Sequence, residues 1–213
     1  MSTIFVSATG TDVGKTWVCG TLMAAWPEAR YWKPCQTGPL SMHDGPAIRR
    51  DWGVDASRIH DVGSRYDEPA SPHYAAALEG ERCSLAPLLE LAAELPSDGP
   101  WIVEGAGGLL VPLNERELIV DIPVALRWPV LLVASTKLGG INETLLSLEA
   151  MKSRGLAILG VVSNGPACDS YNSALAAYAP GLHLYHVPQV ERPFLTSAMG
   201  HASELVRILK EKI

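Results

Sequence analysis

Short apolar runs alternate with amphipathic stretches along most of the chain. The runs are too apolar to have one face in water and predict buried strands at residues 4–7, 30–33, 101–104, 130–135, 156–164 and 182–187. Leu and Ala recur at three- and four-residue spacing in stretches that predict helices at residues 15–26, 46–52, 71–79, 85–95, 142–154, 170–179 and 201–212. This alternation predicts a doubly wound α/β fold with a mainly parallel sheet, helices on both faces and ligands beyond the carboxyl ends of the strands.

The composition narrows the class of protein. The 213 residues, 47% of them hydrophobic, can bury one full core, so we expect a single domain over residues 1–213. No run of about 18 apolar residues and no basic leader is visible, so neither a membrane partner nor a secretory signal is expected. The formal net charge of -6 disfavours a nucleic-acid partner. Four scattered cysteines without CxxC spacing indicate reduced thiols and a cytoplasmic location.

The strongest chemical signal is the segment ATGTDVGKT at residues 8–16, between the first strand and the first helix. It resembles a P-loop, in which backbone N–H groups and the helix N-terminus face phosphate oxygens. Lys15 would then reach the β/γ-phosphates and the Thr16 hydroxyl would bind Mg²⁺. The strict pattern GxxxxGK[ST] would need glycine at Thr9, and the glycine is Gly10 instead. A glycine-rich turn with a solvated lysine is the alternative.

A carboxylate followed by glycines ends the strand predicted at residues 101–104. Glu104 can help to hold Mg²⁺, while Gly105, Ala106 and Gly107 let the backbone approach a phosphate closely. The alternative is a surface glutamate in a turn. Asp44 is a candidate for the second metal acid, although it is also placed to cap the helix predicted from residue 46.

Three further strand ends carry polar groups. Lys33 and Thr37 follow the second strand, where a lysine can neutralise charge on a transferring phosphoryl group or simply extend into solvent. The segment at 137–142 opens a helix with Asn142 as its possible cap, and its N–H groups could bind a carboxylate or be capped without a ligand. Asn164 could bind an adenine edge or be only a turn residue. Adenine is preferred over guanine because the chain has no Asn-Lys-x-Asp.

These segments together resemble the dethiobiotin synthetases, the ATP-dependent ligases of biotin synthesis. The likeness spans about residues 4–195 and is carried by Gly14-Lys15-Thr16, Lys33-Pro34, Thr37-Gly38, the segments at 69–73 and 104–108, Lys137-Leu138-Gly139 and Ile141-Asn142. The resemblance implies a P-loop NTPase-like homodimer that uses Mg²⁺. It also implies conversion of 7,8-diaminononanoate, CO₂ and ATP into dethiobiotin, ADP and phosphate, through a carbamate and a carbamic-phosphoric anhydride.

The resemblance further implies a set of site residues. Those implied for catalysis are Lys33, Lys15 and Thr11. Those implied for ATP are Asp12, Val13, Gly14, Lys15, Thr16, Trp17, Asp44, Glu104, Gly105, Ala106, Gly107, Asn164, Gly165, Val187, Pro188, Gln189 and Glu191. Those implied for Mg²⁺ are Thr16, Asp44 and Glu104. Those implied for the substrate are Asp12, Thr37 and, from the opposite subunit, Gly139, Gly140, Ile141 and Asn142.

The loop departs from the family at three positions, and other nucleotide-binding classes stay open. Ala8 stands where the family has Gly, Gly10 where it has Asp, and Asp12 where it often has a longer acid. A partition-type ATPase switch would carry an additional lysine early in the loop, at the position of Gly10. A non-catalytic nucleotide-binding protein is the other alternative. Cobyrinate amidoligases share the architecture but usually add a glutaminase domain. No HExxH or GxSxG motif indicates a zinc hydrolase or an esterase.

Overall fold

Residues 2–188 and 195–213 are described by a computed structural model. The strands are β1 (Thr3–Ala8), β2 (Arg30–Trp32), β3 (Cys35–Thr37), β4 (Ile59–His60), β5 (Ser64–Tyr66), β6 (Trp101–Glu104), β7 (Val130–Ser135), β8 (Ile158–Asn164) and β9 (Leu184–His186). Seven of them form one sheet in the order β4-β2-β6-β1-β7-β8-β9, and β3 pairs with β5 in a second sheet. The described pairings within both sheets are parallel. The predicted doubly wound α/β fold is therefore confirmed.

The helices cover both faces of the larger sheet. They are α1 (Lys15–Ala25), α2 (Asp44–Trp52), α3 (Pro72–Leu78), α4 (Leu85–Ala93), α5 (Asp121–Leu126), α6 (Gly140–Ser153), α7 (Asp169–Tyr178) and α8 (Leu195–Lys210). Because strand side chains alternate between faces, Ile4 and Val6 of β1 pack in one core with α1, α2 and α8. Phe5 packs in the other core with the remaining helices. In the part of the chain that the structure describes, no helix is both long and apolar enough to span a bilayer.

The central position of β1 fixes where the site lies. β1 pairs with β6 on one side and with β7 on the other, and β2 lies beyond β6. The chain therefore leaves β1 toward one edge and later continues toward the opposite edge. The crevice at the carboxyl ends of β1 and β6 is the kind of switch point where open parallel sheets bind ligands.

Some local elements differ from the sequence predictions. The short strands β3, β4 and β5 and the six-residue helix α5 were not predicted. Strands of two or three residues give too little alternation to be recognised. The expectation that Asn142 caps a helix is wrong, because α6 begins at Gly140 and is preceded by Gly139 with φ of 94°. Asp44 is likewise the first residue of α2, with His43 in the cap position.

Candidate functional site

A cavity of about 610 Å³ opens at the carboxyl ends of β1, β2 and β6. It brings together half of the residues that the sequence singled out: Thr11, Asp12, Gly14, Lys15, Thr16, Trp17, Lys33, Thr37, Asp44, Glu104, Ala106 and Gly107. Its other lining residues were assigned no role from the sequence: Gln36, Met42, Pro69, Ala70, Ser71, Pro72 and Val111. The cavity therefore has a charged floor and a partly apolar wall.

The loop between β1 and α1 has a backbone shape that requires glycine at one position. Gly14 has φ of 97°, and a Cβ built there would lie 1.8 Å from Nδ2 of Asn164. Asp12 also adopts a positive φ, of 57°. The loop leads directly into α1, and the cavity is lined by Lys15, Thr16 and Trp17 of the first helical turn, whose N–H groups have no acceptor within the helix. Such a helix N-terminus is suited to phosphate.

Two acids, a lysine and a hydroxyl form a compact cluster on the cavity floor. Lys33 Nζ forms ion pairs with Asp44 and, at 3.2 Å, with Oε1 of Glu104. The Thr16 hydroxyl donates to Oδ1 of Asp44 at 2.6 Å and lies 3.0 Å from Oε1 of Glu104. Lys15 Nζ lies 3.4 Å from the Gly10 carbonyl oxygen. Glu104 is fully buried, and both lysines are buried as well.

The environments of the two lysines shift their pKa values in opposite directions. Burial alone would lower the pKa of Lys33, but Glu104 and Asp44 raise it above the usual range, so its ammonium stays protonated. Burial would raise the pKa of Asp44, yet Lys33 and the Thr16 hydroxyl bring it below the usual range. For Lys15, burial dominates and lowers the pKa, although Glu104 opposes the shift. Lys15 is therefore the cation with most to gain from an added anion.

The oxygen atoms of this cluster fit Mg²⁺. The Thr16 hydroxyl lies within hydrogen-bond distance of one oxygen of Asp44 and of one oxygen of Glu104. Mg²⁺ prefers oxygen ligands and is usually held by one or two carboxylates, substrate phosphates and water. Among the described residues, no group of three or more His, Cys, Asp or Glu side chains is placed to hold a metal. In a site of this kind, phosphate oxygens and water complete the shell.

A second polar area lies beside the loop at the end of β8. Asn164 Nδ2 donates to the Val13 carbonyl at 2.7 Å. Its Oδ1 is buried and has no hydrogen-bond partner among the described residues, so an acceptor is available there for a donor such as the amino group of adenine. The indole of Trp17 donates to the Pro188 carbonyl at 3.2 Å and ties α1 to the segment after β9.

Comparison with known proteins identifies the family. The family described as an AAA domain matches residues 2–193. The ATP-dependent dethiobiotin synthetase BioD of Paramagnetospirillum magneticum is 42% identical over 165 residues, covering 78% of this chain and 77% of that protein. The BioD of Novosphingobium aromaticivorans is 37% identical over 203 residues, covering 94% of this chain and 96% of its own. The chain belongs to the dethiobiotin synthetase family.

Other proteins are similar to this chain over only part of their length or only in their fold. The bifunctional biotin biosynthesis protein BioCD of Bordetella avium is 40% identical over 189 residues, which are 88% of this chain but only 40% of that protein. Two solved structures share the fold at 14% identity. The septum site-determining protein MinD of Pyrococcus horikoshii, complexed with Mg-ADP, has a TM-score of 0.60 and coverage of 99% and 95%. Cobyrinic acid a,c-diamide synthase of Mycobacterium smegmatis, with bound ATP analog and magnesium, has a TM-score of 0.59 and coverage of 100% and 97%.

Several predicted site residues of this synthetase family member lie outside the cavity of the protomer. Gly139, Gly140, Ile141 and Asn142 are at the start of α6 and do not line it. Val13 and Gly105 also lie outside the lining, and the Gly105 N–H donates to the Val6 carbonyl at 3.0 Å. These assignments stay predictions.

The residues predicted to bind the base lie outside the cavity lining or outside the described residues. Val187 is buried, and Gly165 has φ of 128° beside Thr136. Neither lines the cavity, so their roles at the nucleotide stay predictions. Gln189 and Glu191 lie outside the described residues.

Sequence reasoning missed two supporting residues. The Tyr31 hydroxyl donates to Oε2 of Glu104 at 2.8 Å. The Gln36 side-chain oxygen accepts from the Asp44 N–H at 3.1 Å, and so holds the start of α2. Tyr31 precedes Lys33 by two residues, and residues two apart on a strand share a face. In the strand predicted at 30–33 that spacing could have placed Tyr31 on the face of Lys33, but its hydrogen bond to Glu104 depends on the register of β2 against β6.

Proposed function

We propose that this chain is an ATP- and Mg²⁺-dependent dethiobiotin synthetase. In this proposal it carboxylates 7,8-diaminononanoate with CO₂ and closes the cyclic urea at the expense of ATP. The observation that carries the proposal is the single cavity containing Lys15, Thr16, Lys33, Asp44 and Glu104 at the N-terminus of α1. The substrate proposed for this phosphate-binding site is inferred from membership of the dethiobiotin synthetase family. The two lysines supply the positive charge that a carbamate and a triphosphate both need.

The first step requires a neutral amine. An alkyl amine with a pKa of roughly 10 is mostly protonated near neutral pH. The cations of Lys15 and Lys33 repel a nearby ammonium and stabilise an anion, so they favour the free amine and its carbamate. The amine nitrogen attacks CO₂, forms the C–N bond and releases a proton to solvent.

The next steps transfer and release phosphate. A carbamate oxygen attacks the γ-phosphorus of ATP and ADP departs with the former bridging oxygen. The neighbouring amine then attacks the activated carbonyl carbon, phosphate leaves, and one proton is lost as the ring closes. The loop N–H groups and Lys15 hold the phosphates while Lys33 neutralises developing charge. Mg²⁺ held by Thr16, Asp44 and Glu104 would add neutralisation of the β- and γ-phosphates.

The active unit in this proposal is a homodimer in the cytoplasm. The segment from Gly139 to Asn142 is predicted to reach the substrate carboxylate of the opposite subunit. In support, Leu138 beside it is fully exposed, and Leu146 of α6 is 58% exposed. The four cysteines are free thiols, which suits a reducing compartment.

Mixing two inactive variants tests the shared site. If Lys33 and Asn142 act in the same site from different subunits, a Lys33→Ala and Asn142→Ala heterodimer has one intact site. Random mixing should then restore about a quarter of wild-type activity. A monomer by light scattering, or mixtures that stay inactive after subunit exchange, would count against the dimer.

One assay tests the activity itself. Pure protein is incubated with 7,8-diaminononanoate, bicarbonate, Mg²⁺ and each nucleoside triphosphate in turn, and the products are identified by mass. We expect dethiobiotin with ADP, and strongly reduced turnover for Lys33→Ala. ATP that binds but is not cleaved would favour the non-catalytic alternative. ATP cleavage independent of diamine would favour a switch ATPase.

A further inference from the structure

The two carboxylate oxygens of Glu104 have separate partners. Oε1 faces the cavity cluster, 3.0 Å from Thr16 Oγ1 and 3.2 Å from Lys33 Nζ. Oε2 points away from that cluster and accepts from the Tyr31 hydroxyl at 2.8 Å. Glu104 is therefore held at both oxygens, and the hydroxyl holds the oxygen on the far side from Thr16.

The contact between Tyr31 and Glu104 is buried on both sides. Tyr31 is 1% exposed and Glu104 is 0% exposed. Tyr31 pairs with Ile102 in the parallel β2–β6 ladder, and Glu104 follows Ile102 by two residues on the same face. Both side chains thus extend from neighbouring strands into one buried layer. Without the Tyr31 hydroxyl, the Glu104 carboxylate would be free to turn toward another donor, such as the Cys19 thiol that also contacts it.

We propose that Tyr31 is a positioning residue for the Mg²⁺ site. Its hydroxyl fixes the Glu104 carboxylate so that Oε1, and not Oε2, faces Thr16 and Asp44. Hydrogen bonds from outside a metal shell orient ligands in this way, and their loss typically reduces metal affinity by about 10- to 100-fold. This inference rests on the proposed function, because it assumes that Glu104 is a ligand of nucleotide-bound Mg²⁺.

The test compares Tyr31→Phe with a matched control, Tyr171→Phe. Tyr171 is also buried, and its hydroxyl contacts Thr144 Oγ1 at 2.8 Å, between α6 and α7. A fluorescent ATP analogue is titrated in EDTA and then over a range of Mg²⁺ concentrations. For Tyr31→Phe we expect the Mg²⁺ concentration for half-maximal effect to rise about 10-fold. The affinity in EDTA should stay within about twofold of wild type, and Tyr171→Phe should change neither value.

The outcomes separate this inference from the proposed function. If the wild-type protein binds the analogue equally with and without Mg²⁺, the Mg²⁺ site itself is wrong and both proposals fail. If wild type depends on Mg²⁺ and Tyr31→Phe shows the same dependence, only the role of Tyr31 is overturned. Equal weakening in EDTA and in Mg²⁺ also overturns it, because it shows general support of the loop. Should Tyr31→Phe not fold, Tyr31→Met removes the same donor with a more adaptable side chain and is judged identically.

Discussion

Lys33 compensates two buried carboxylates, so replacing it with methionine has a large expected effect. The side chains of Lys33, Asp44 and Glu104 are only 10%, 18% and 0% exposed. Removing one partner of a buried ion pair costs about 3–5 kcal/mol, because the remaining charge has no counter-charge and little water. Since Asp44 retains some contact with solvent, we expect the lower end of that range. In a chain of this length, this loss corresponds to a fall in melting temperature of roughly 6–12 °C.

Thermal unfolding near neutral pH, in EDTA and in Mg²⁺ without nucleotide, measures this effect. Mg²⁺ should stabilise Lys33→Met more than wild type, because a divalent cation can compensate both acids once the ammonium is gone. The double variant Lys33→Met/Asp44→Asn should recover part of the lost stability, since only one buried negative charge remains. The surface variant Lys152→Met is the control, because Lys152 is exposed on α6.

A Lys33→Met variant that melts within about 2 °C of wild type, a loss of less than 1 kcal/mol at this size, would contradict this expectation. A double variant no more stable than the single one would contradict it as well. The pKa shifts of Lys33 and Asp44 mean that both groups are charged at the near-neutral pH of this measurement. The raised pKa of Lys33 keeps its contribution intact below pH 10.5 and loses it above the folded-state pKa. The lowered pKa of Asp44 keeps its contribution above pH 3.8 and loses it as the pH falls further.

Two other features of the loop lead to measurable outcomes. Gly14→Ala should weaken ATP binding at least tenfold. A positive φ costs alanine about 1–3 kcal/mol, and the added Cβ would displace Asn164. Calorimetry measures the affinity, and an unchanged value would contradict this expectation. Burial lowers the pKa of Lys15, and bound triphosphate should raise it again. ATP binding should therefore take up protons at alkaline pH below 10.5 and weaken as Lys15 loses its proton. Calorimetry in two buffers measures the uptake, and a Lys15→Met profile with the same pH dependence would exclude Lys15 as the source.

The architecture could be predicted because most strands of the larger sheet are buried on both faces. Runs such as Val130–Ser135 carry no polar face, and this pattern distinguishes them from surface strands. The same logic fails for β3 and β5, whose three residues each are stabilised by pairing with one another. Helix α5 has only six residues, which is too short for a clear helical periodicity in the sequence. Its Pro123 would suggest a break in a helix, but it lies in the first turn, where its missing N–H is not needed.

Site residues could be predicted where a short sequence motif identifies them, and could not where their role depends on contacts between distant parts of the chain. Lys15, Thr16 and Glu104 belong to short motifs at strand ends, and their type and position were enough to assign chemistry. Asp44 was ambiguous, because only the folded chain shows that the start of α2 returns to the Thr16 hydroxyl. Tyr31 was missed for a related reason. Its role depends on the register of β2 against β6, which one sequence does not specify.

The arrangement of charges explains how one lysine can serve both structure and catalysis. Lys15, Lys33, Asp44 and Glu104 carry formal charges that cancel, so the fold holds the cluster without a net buried charge. In the proposed reaction, Asp44 and Glu104 would hold a metal cation brought with ATP, and its charge would weaken their hold on Lys33. The Lys33 ammonium is then free to interact with the carbamate and the transferred phosphoryl group. Its protonated state is secured by the same two acids beforehand, so the proposed role of Lys33 requires a change of partner and not a change of charge.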